Sequence, residues 1–317
     1  MFTKARMLTR TRSTTLNHMF TNALFRNYVP SKRVLWRNFT SHPYLPGHAF
    51  AFFPQFFSRR EQRLLLSASL EILDSSDTRL SRRTRAAFFK SKLSQSNDTD
   101  PMELFAPDDL YHFQDVSLKN TLYIFWQFMT ASSQGHYDGV ITHFREIHLS
   151  SWPLDDFRGL EAAVERLHSL CPTKDIQTHL LHLASYGDIL PHVDNISASG
   201  AWIIGVSLGD ERILKMTEVE GEKREIYVTL PSGSVYLQRS VGLLFSIPND
   251  WILHRDEVRY HYKHSIERRK IDIDVCRPGQ RLSIMIRVRL TAIINVIVPF
   301  YIWNRIEKQS SREKEEF

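Results

Sequence analysis

Two short stretches of this 317-residue chain carry side chains whose types and spacing could do chemistry. In the first, Pro191–Asp194, His192 and Asp194 stand two residues apart, and such side chains share one face of an extended strand. A strand end of this kind offers a metal ion one nitrogen and one oxygen. Two histidines and one carboxylate on one face of the ion, with open positions opposite, form the non-haem Fe(II) oxygenase site. The stretch therefore predicts part of a metal site.

The second stretch, Arg281–Arg287, alternates between polar and apolar residues, as a strand with one buried face does. Arg281, Ser283 and Arg287 share one face, and the opposite face is apolar. At a rise of about 3.3 Å per residue, the two arginines are about 20 Å apart at their backbones. They would therefore bind opposite ends of a short dicarboxylate, since arginine makes strong bidentate contacts with carboxylates. The strand predicts a site for an anionic cosubstrate; without the first stretch it would indicate only an exposed arginine face.

The elements that would position these residues follow from hydrophobic periodicity. From residue 177 onward the pattern is that of short strands, with turns predicted at Gly205, Gly209, Gly221 and Gly233. The predicted strands are Thr178–Leu183, Ala201–Leu208, Arg212–Met216, Glu225–Leu230, Ser234–Leu237 and Leu282–Arg289. Helices followed by many short antiparallel strands predict an α+β fold with a double-stranded β-helix (jelly-roll) or barrel core.

Helices are predicted ahead of these strands, so N-terminal helices would flank the core. Ser58–Glu61 has the form of a capping box, and leucines at helical spacing extend a helix to about Leu73. A second helix is predicted within Asp115–Ala131 and a third over Asp156–Leu170. Residues 74–110 are polar and broken, which predicts a loop.

Charge is distributed unevenly along the chain, whose net charge is +6. Ten of the 41 basic residues precede Glu61, the first acidic residue, which leaves 31 basic against 35 acidic residues. The overall basic balance therefore says little about a nucleic-acid partner. The basic, Ser/Thr-rich and acid-free start predicts a mitochondrial transit peptide over residues 1–45 and a location in the matrix. The alternative is a disordered basic arm that binds RNA or a membrane.

Composition and the chain's end limit the remaining possibilities. A hydrophobic content of 42% is enough for one large or two small domains, and one domain is predicted over residues 46–290. Cys171 and Cys276 are too few for a disulfide framework and fit a reducing compartment. The tail 291–317 is first apolar and then charged, and its apolar part is shorter than the roughly 20 residues that span a bilayer. It predicts a packed or membrane-touching tail, without a transmembrane segment.

These motifs together resemble one family. The pairing of HxD with RxSxxxR is similar to the AlkB-like Fe(II)/2-oxoglutarate dioxygenases, and His136–Glu146 (HYDGVITHFRE) with the basic leader resembles their mitochondrial homologue-seven branch. The other similar segments are Ser151–Trp152, Pro191–Asp194, Gly200–Leu208, Gly233–Tyr236, Arg259–Ile266 and Gly279–Arg287. The resemblance spans residues 55–290, most of the predicted domain.

The resemblance implies Fe(II) as cofactor, 2-oxoglutarate as cosubstrate and O2. It assigns His192 and Asp194 as iron ligands. A third histidine completes the set, and His264 is favoured over His254 because it matches the family's segment and its interval to the arginine strand. The cosubstrate contacts that the resemblance implies are Tyr236, Arg281, Ser283 and Arg287. Asp188 departs from the family, in which this position often carries an aromatic side chain.

A second departure is the segment 241–257, which separates two segments that nearly adjoin in the family. Deleting it would restore the usual spacing. We interpret it as an inserted surface loop or as non-coding sequence wrongly retained in the coding sequence assigned to the gene. The choice matters because the insertion directly precedes the segment that carries the third ligand.

The function implied is a mitochondrial dioxygenase that hydroxylates or oxidatively demethylates a protein, metabolite or RNA substrate, acting as a monomer. A mitochondrial tRNA N-demethylase is the narrower alternative, since the basic stretch 78–93 could form a nucleic-acid lid as well as a solvated loop. A non-catalytic jelly-roll interaction protein of mitochondrial metabolism or cell death is the alternative of a different class.

Overall fold

The computed structural model describes residues 50–92, 100–114, 139–194, 202–221, 223–239, 261–268 and 279–288. The predicted leader, the predicted helix within Asp115–Ala131, the insertion 241–257 and the tail lie outside the described residues. The accounts of these four segments therefore remain predictions.

Ten strands are present among the described residues. They are β1 (Phe50–Phe53), β2 (Phe144–Leu149), β3 (Ile176–Leu183), β4 (Ile189–His192), β5 (Trp202–Gly209), β6 (Arg212–Glu218), β7 (Glu225–Leu230), β8 (Ser234–Arg239), β9 (Tyr262–Arg268) and β10 (Arg281–Val288). They pair antiparallel in a six-stranded sheet of order β1-β8-β5-β10-β3-β2 and a four-stranded sheet of order β4-β9-β6-β7. The predicted α+β class agrees with this arrangement of helices and antiparallel sheets.

The hydrophobic core lies between the two sheets, because one cluster of buried side chains draws members from both. In the four-stranded sheet, β7 alternates strictly between exposed and buried residues, as a half-buried strand does. The cluster contains Phe50, Ile141, Phe144, Leu181, Leu183, Ile189, Leu214, Met216, Ile226, Val228, Leu230, Tyr236 and Ile266. The inner face of each sheet can be read from these members and from the strand registers.

Two helices match predictions from the sequence. Helix α1 (Arg59–Ser75) begins at the predicted capping box, in which the Ser58 side chain accepts from the Glu61 backbone and the Glu61 side chain accepts from the Ser58 backbone. The helix predicted over Asp156–Leu170 is Leu160–His168, the third helix in chain order (α3). Its start is four residues later than the predicted Asp156, since Gly159 adopts φ 95° and caps the helix there. Helices α1 and α3 contact each other.

The prediction of a loop over residues 74–110 is wrong for most of its length. Residues Arg79–Lys92 form helix α2, and Pro101–Leu104 and Asp108–Leu110 form 3-10 turns. The sequence lacks apolar periodicity here because Arg85, and not a leucine stripe, is the buried residue of α2. Within the described part of the chain, no helix is long and apolar enough to cross a membrane.

Candidate metal and cosubstrate site

The structure brings together three of the residues that the motifs single out. His192 ends β4, His264 is its direct partner on β9, and Asp194 follows β4 by two residues. Their donor atoms converge. Nε2 of His192 is 3.6 Å from Oδ1 of Asp194, and Nε2 of His264 is 3.7 Å from the same oxygen. The two imidazole rings are 4.2 Å apart at their centroids.

The two distances from Asp194 fit a shared metal ion. Two ligand atoms at about 2.1 Å from one first-row ion can be at most about 4.2 Å apart. Both separations from Asp194 lie below that limit and above the length of a direct N–H···O hydrogen bond. All three ligand atoms lie within 4.8 Å of one another, and Asp194 is buried. The set of two imidazoles and one carboxylate is the one that non-haem Fe(II) sites use.

The hydrogen bond of His192 also suits a ligand role. Nδ1 of His192 is 2.8 Å from the carbonyl oxygen of Leu190, so Nδ1 carries the proton and donates it. The lone pair is then on Nε2, the atom that faces Asp194. Such a backbone carbonyl is a common orienting partner for a metal-binding histidine.

Of the other two histidines that precede the arginine strand, the structure describes His261 but not His254. His254 lies outside the described residues, so its position relative to Asp194 is not described. His261 is exposed in the turn that precedes β9, and its carbonyl accepts from Val219. Among the described residues, the cluster that could hold a metal ion consists of His192, Asp194 and His264.

The predicted cosubstrate residues of β10 lie on the inner face of the six-stranded sheet. Ser283 pairs with Leu181 of β3, and Leu181 belongs to the core between the sheets. Arg281 and Arg287 share this face with Ser283 because side chains alternate along a strand. All three are buried. The arginine strand is therefore an interior feature, which excludes the reading as an exposed arginine face.

Arg281 is a buried cation. It is 1% exposed, and its Nε donates to Oγ of Ser207 at 3.0 Å. Among the described residues, its Nη1 has no hydrogen-bond partner. Burial lowers the pKa of Arg281 to about 10, against an opposing effect of Tyr236, and the charge of Arg212 lowers it too. A guanidinium held in this way is suited to bind an anionic ligand, since an uncompensated buried charge is costly.

Tyr236 is on β8, one strand away from the arginines of β10, and its ring can lie over the intervening strand because its neighbour there has no side chain. A Cβ on Gly205, its partner on β5, would lie 2.3 Å from Cζ of Tyr236. The ring therefore covers Gly205. Burial raises the pKa of the Tyr236 hydroxyl, Asp194 raises it too, and Arg281 and Arg287 lower it. Tyr236 thus lies within electrostatic reach of both the metal cluster and the arginine strand.

Sequence reasoning missed Gly205 as a site residue, and it missed a polar pair near Arg287. Nε2 of His179 is 3.0 Å from Oε2 of Glu146, on the same inner face. Burial raises the pKa of Glu146, but its bond to His179 and the charges of His179, His148 and Arg287 lower it further, so the net shift is downward. Glu146 belongs to the HYDGVITHFRE segment, whose strand period was the signal that could have found it.

Comparisons with known proteins complete this description. No protein-family model matches the chain. The solved structure of OsALKBH1 aligns with a TM-score of 0.37 and 13% identity, covering 79% of this chain and 100% of that chain. A prolyl-4-hydroxylase from Pseudomonas putida aligns with a TM-score of 0.34 and 10% identity, covering 76% of this chain and 92% of that chain. At these scores neither likeness bears on the fold.

Two curated relatives carry the same name, "Alpha-ketoglutarate-dependent dioxygenase alkB homolog 7, mitochondrial". The protein of Mus musculus is 28% identical over 145 residues, and that of Bos taurus is 27% identical over 147. Each match covers 45% of this chain and 63% of the relative, which is less than two thirds of its length. The predicted cofactors, Fe(II), 2-oxoglutarate and O2, fit this name and the His-Asp-His cluster. The resemblance to AlkB-like dioxygenases, and to their mitochondrial homologue-seven branch, is thereby confirmed.

Proposed function

We propose that this protein is an Fe(II)/2-oxoglutarate-dependent dioxygenase that hydroxylates or oxidatively demethylates a protein, metabolite or RNA substrate. The observation that carries the proposal is the convergence of His192, Asp194 and His264 on one point. These residues would hold the iron. When bound, the iron supplies the oxidation in which 2-oxoglutarate and O2 become succinate and CO2 while one oxygen atom enters a substrate C–H bond.

The chain's own part in this reaction is to bind and orient the cosubstrate. Arg281 would pair with one carboxylate of 2-oxoglutarate through its available Nη1, in a site from which burial excludes water. Tyr236 and Ser283 would donate hydrogen bonds to the same ligand, and Arg287 would contact its other end. The buried charge of Arg281 supports this assignment because a dicarboxylate would supply the missing counter-charge.

Succinate formation from 2-oxoglutarate tests this proposal. We expect the wild-type protein to form succinate only with added Fe(II), and His192→Ala to abolish it. A matched control is His261→Ala, which removes an exposed imidazole that lies outside the cluster. No turnover by the wild-type protein with excess iron would favour the non-catalytic interaction protein instead.

Helix α2 favours RNA as a second, narrower candidate for the substrate. Arg79, Arg82, Arg83 and Lys90 are exposed and lie on one face of this helix, which contains no acidic residue. A row of cations of this kind suits a phosphate backbone. We expect tRNA affinity to fall steeply with salt and to fall further when these four residues are replaced by glutamine.

The design of that experiment must spare Arg85, because it is buried and paired with Asp77. A control of equal charge replaces four exposed cations outside α2, and these are Arg60, Arg158, Lys174 and Lys223. Each lost phosphate contact lowers the salt slope by about 0.7 for a single strand. Equal losses in both quadruple variants would contradict a role of α2 in RNA binding.

The organisation of the chain belongs to the same proposal. We infer a mitochondrial transit peptide over residues 1–45, a dioxygenase domain over 46–290 with the insertion 241–257, and a tail over 291–317 that packs or touches a membrane. The domain would be a monomer with a double-stranded β-helix core flanked by N-terminal helices. The name of the relatives supports the mitochondrion, and the basic leader supports the matrix. Import of a fluorescent protein fused to residues 1–45 into mitochondria tests the proposed transit peptide.

A further inference from the structure

The strand that carries His192 is short, and its pairing with the strand that carries His264 is irregular. β4 has four residues and lies at the edge of the four-stranded sheet. Pro191 lacks the N–H group that a ladder hydrogen bond needs. The pairing of β4 with β9 joins Ile189 to Ile266 and His192 to His264, with an irregular register between these two pairs. The backbone bonds of Leu190 and Asp188 to Val140 and Thr142 hold β4 on its other side, so the irregular pairing with β9 is the backbone contact that sets the separation of the two histidines.

A salt bridge joins the same two strands at their other end. Nε and Nη2 of Arg268, the last residue of β9, donate to the two carboxylate oxygens of Asp188 at 3.1 and 2.9 Å. Asp188 directly precedes β4. Such a two-point contact fixes orientation as well as distance, because the guanidinium and the carboxylate are both planar.

The charges around this salt bridge make it more than a surface ion pair. Arg268 stands directly opposite Arg212 of β6, and like charges in that position repel each other. Asp188 offsets this repulsion on one side, and Asp210, which is 2.6 Å from Nη1 of Arg212, offsets it on the other. The four charges across the end of the sheet thus lie in the order Asp188, Arg268, Arg212, Asp210, so that each of the two adjacent arginines has its own carboxylate.

We propose that Asp188 and Arg268 are positioning residues that fix β4 against β9 so that His192 and His264 can hold one metal ion. The inference rests on the proposed metal site and adds to it a device at the opposite end of the two strands. On β9, His264, Ile266 and Arg268 share one face, so the metal ligand, the core contact and the clamp follow one another along it. Asp188 in place of an aromatic residue gives this chain the acidic partner that Arg268 needs.

Co2+ binding measures this role without turnover. We expect Asp188→Asn and Arg268→Gln each to weaken Co2+ binding about tenfold, the lower end of what is typical for residues that support metal ligands. The double variant is expected to bind Co2+ no more weakly than the single variant that binds it less tightly, because both substitutions remove the same contact. At saturating Co2+ the visible spectrum is expected to match the wild type, since the ligands themselves are unchanged.

A matched control comes from the same sheet. Nζ of Lys215 on β6 is 2.7 Å from Oε1 of Glu225 on β7, and this ion pair lies on strands without a ligand histidine. Lys215→Gln is expected to bind Co2+ as the wild type does. If Asp188→Asn does not fold, Arg268→Gln still decides, because the Arg268 side chain is 40% exposed.

Three results would overturn the inference. They are wild-type Co2+ affinity in both single variants, additive losses in the double variant, and a changed spectrum at saturation, which would mean that a ligand itself was lost. Failure of the wild-type protein to bind Co2+ would count against the proposed metal site and thereby remove the basis of the inference. The two failures are therefore distinguishable.

Discussion

The position of Tyr236 depends on a side chain that its neighbour lacks. The Tyr236 ring lies over Gly205, where any Cβ would come within 2.3 Å of the ring. That contact is closer than packed atoms allow, so a side chain at position 205 would push the ring away. The hydroxyl would then leave the neighbourhood of Arg281. Gly205 is therefore a site residue that touches no ligand.

Replacing Gly205 by alanine is expected to raise the KM for 2-oxoglutarate about tenfold, a loss of about 1.4 kcal/mol in cosubstrate binding. The reason is displacement of Tyr236, so the loss should vanish where the ring is absent. Succinate kinetics of Gly205→Ala, Tyr236→Ala and the double variant form a double-mutant cycle. Equal effects of Gly205→Ala with and without the ring would contradict this explanation.

His182 illustrates how a buried polar residue can be fixed in one protonation state. Nε of Arg145 donates to Nδ1 of His182 at 2.9 Å, so Nδ1 is unprotonated. Nε2 then carries the proton and donates to Oε1 of Gln280 at 2.8 Å. Burial lowers the pKa of His182 well below 6.5, and the charge of Arg145 lowers it further, while Gln280 opposes the shift.

The stability of the folded protein should therefore fall as the pH falls below about 6.5. In that range the unfolded chain binds a proton at His182 that the folded chain does not, at a slope of up to about 1.4 kcal/mol per pH unit. His182→Gln, which keeps one acceptor and one donor, is expected to remove this slope. Urea denaturation from pH 7.5 to 5 measures it; His168, whose pKa burial also lowers, contributes what remains.

The control is His112→Gln, because the side chain of His112 is exposed. Its replacement is expected to leave the slope of stability against pH as in the wild type. A slope that survives unchanged in His182→Gln would show that the ring of His182 does not account for the loss at low pH.

At the scale of elements, helix α2 is attached to the sheet through charges. Nη2 of Arg85 is 2.5 Å from Oδ2 of Asp77, and Nη1 of Arg145 on β2 is 2.7 Å from Oδ1 of Asp74. Both guanidinium groups also lie over the ring of Tyr111. The helix is thus joined to α1 and β2 by a partly buried ionic network, which is why hydrophobic periodicity did not predict it.

Arg85→Met is expected to lower the free energy of unfolding by about 2–3 kcal/mol, because Asp74 and Asp77 lose charged hydrogen bonds in a buried place. Chymotrypsin should then cut faster at Phe88 and Phe89. Arg83→Met removes an exposed arginine from the same helix and should change stability by less than about 0.5 kcal/mol. Equal free energies of unfolding and equal cleavage rates in the two variants would contradict the hypothesis that Arg85 anchors α2.

Local signals decided which elements could be predicted. The capping box of α1 and the alternation in β7 and β10 each involve residues close in sequence, and the predicted bounds lie near the observed ones. β4 gave no such signal, because it is four residues long and contains Pro191. Its partner is β9, more than seventy residues later, and only the assembled sheet defines the strand.

At the scale of the whole molecule, local motifs could likewise be predicted and distant pairings could not. The candidate ligands His192 and Asp194 and the arginines of β10 could be predicted, since each motif is local in sequence. The role of Gly205 could not be predicted, because it arises from the pairing of β5 with β8. The role of Asp188 could not be predicted either, because its partner Arg268 is on β9. Sequence motifs thus identify the residues that would contact a ligand, and the sheet registers identify the residues that position them.

The two halves of the proposed site belong to different sheets. His192 and His264 are on the four-stranded sheet, whereas Arg281 and Tyr236 are on the six-stranded sheet. A 2-oxoglutarate molecule bound to both the metal and Arg281 would therefore cross-link the sheets. We expect the cosubstrate to raise the free energy of unfolding strongly only when the metal is present.

This coupling can be tested by urea denaturation with Co2+, with 2-oxoglutarate and with both ligands. At a ligand concentration near 100 times its Kd, binding adds about 2.7 kcal/mol to the free energy of unfolding. Arg281→Met should keep the increment from Co2+ and lose that from 2-oxoglutarate, whereas His192→Ala should lose both. Succinate, which lacks the keto oxygen, should add less than 2-oxoglutarate. Equal stabilisation by 2-oxoglutarate in the presence of EDTA would mean that the cosubstrate binds one sheet alone, and the bridge between the sheets would then be wrong.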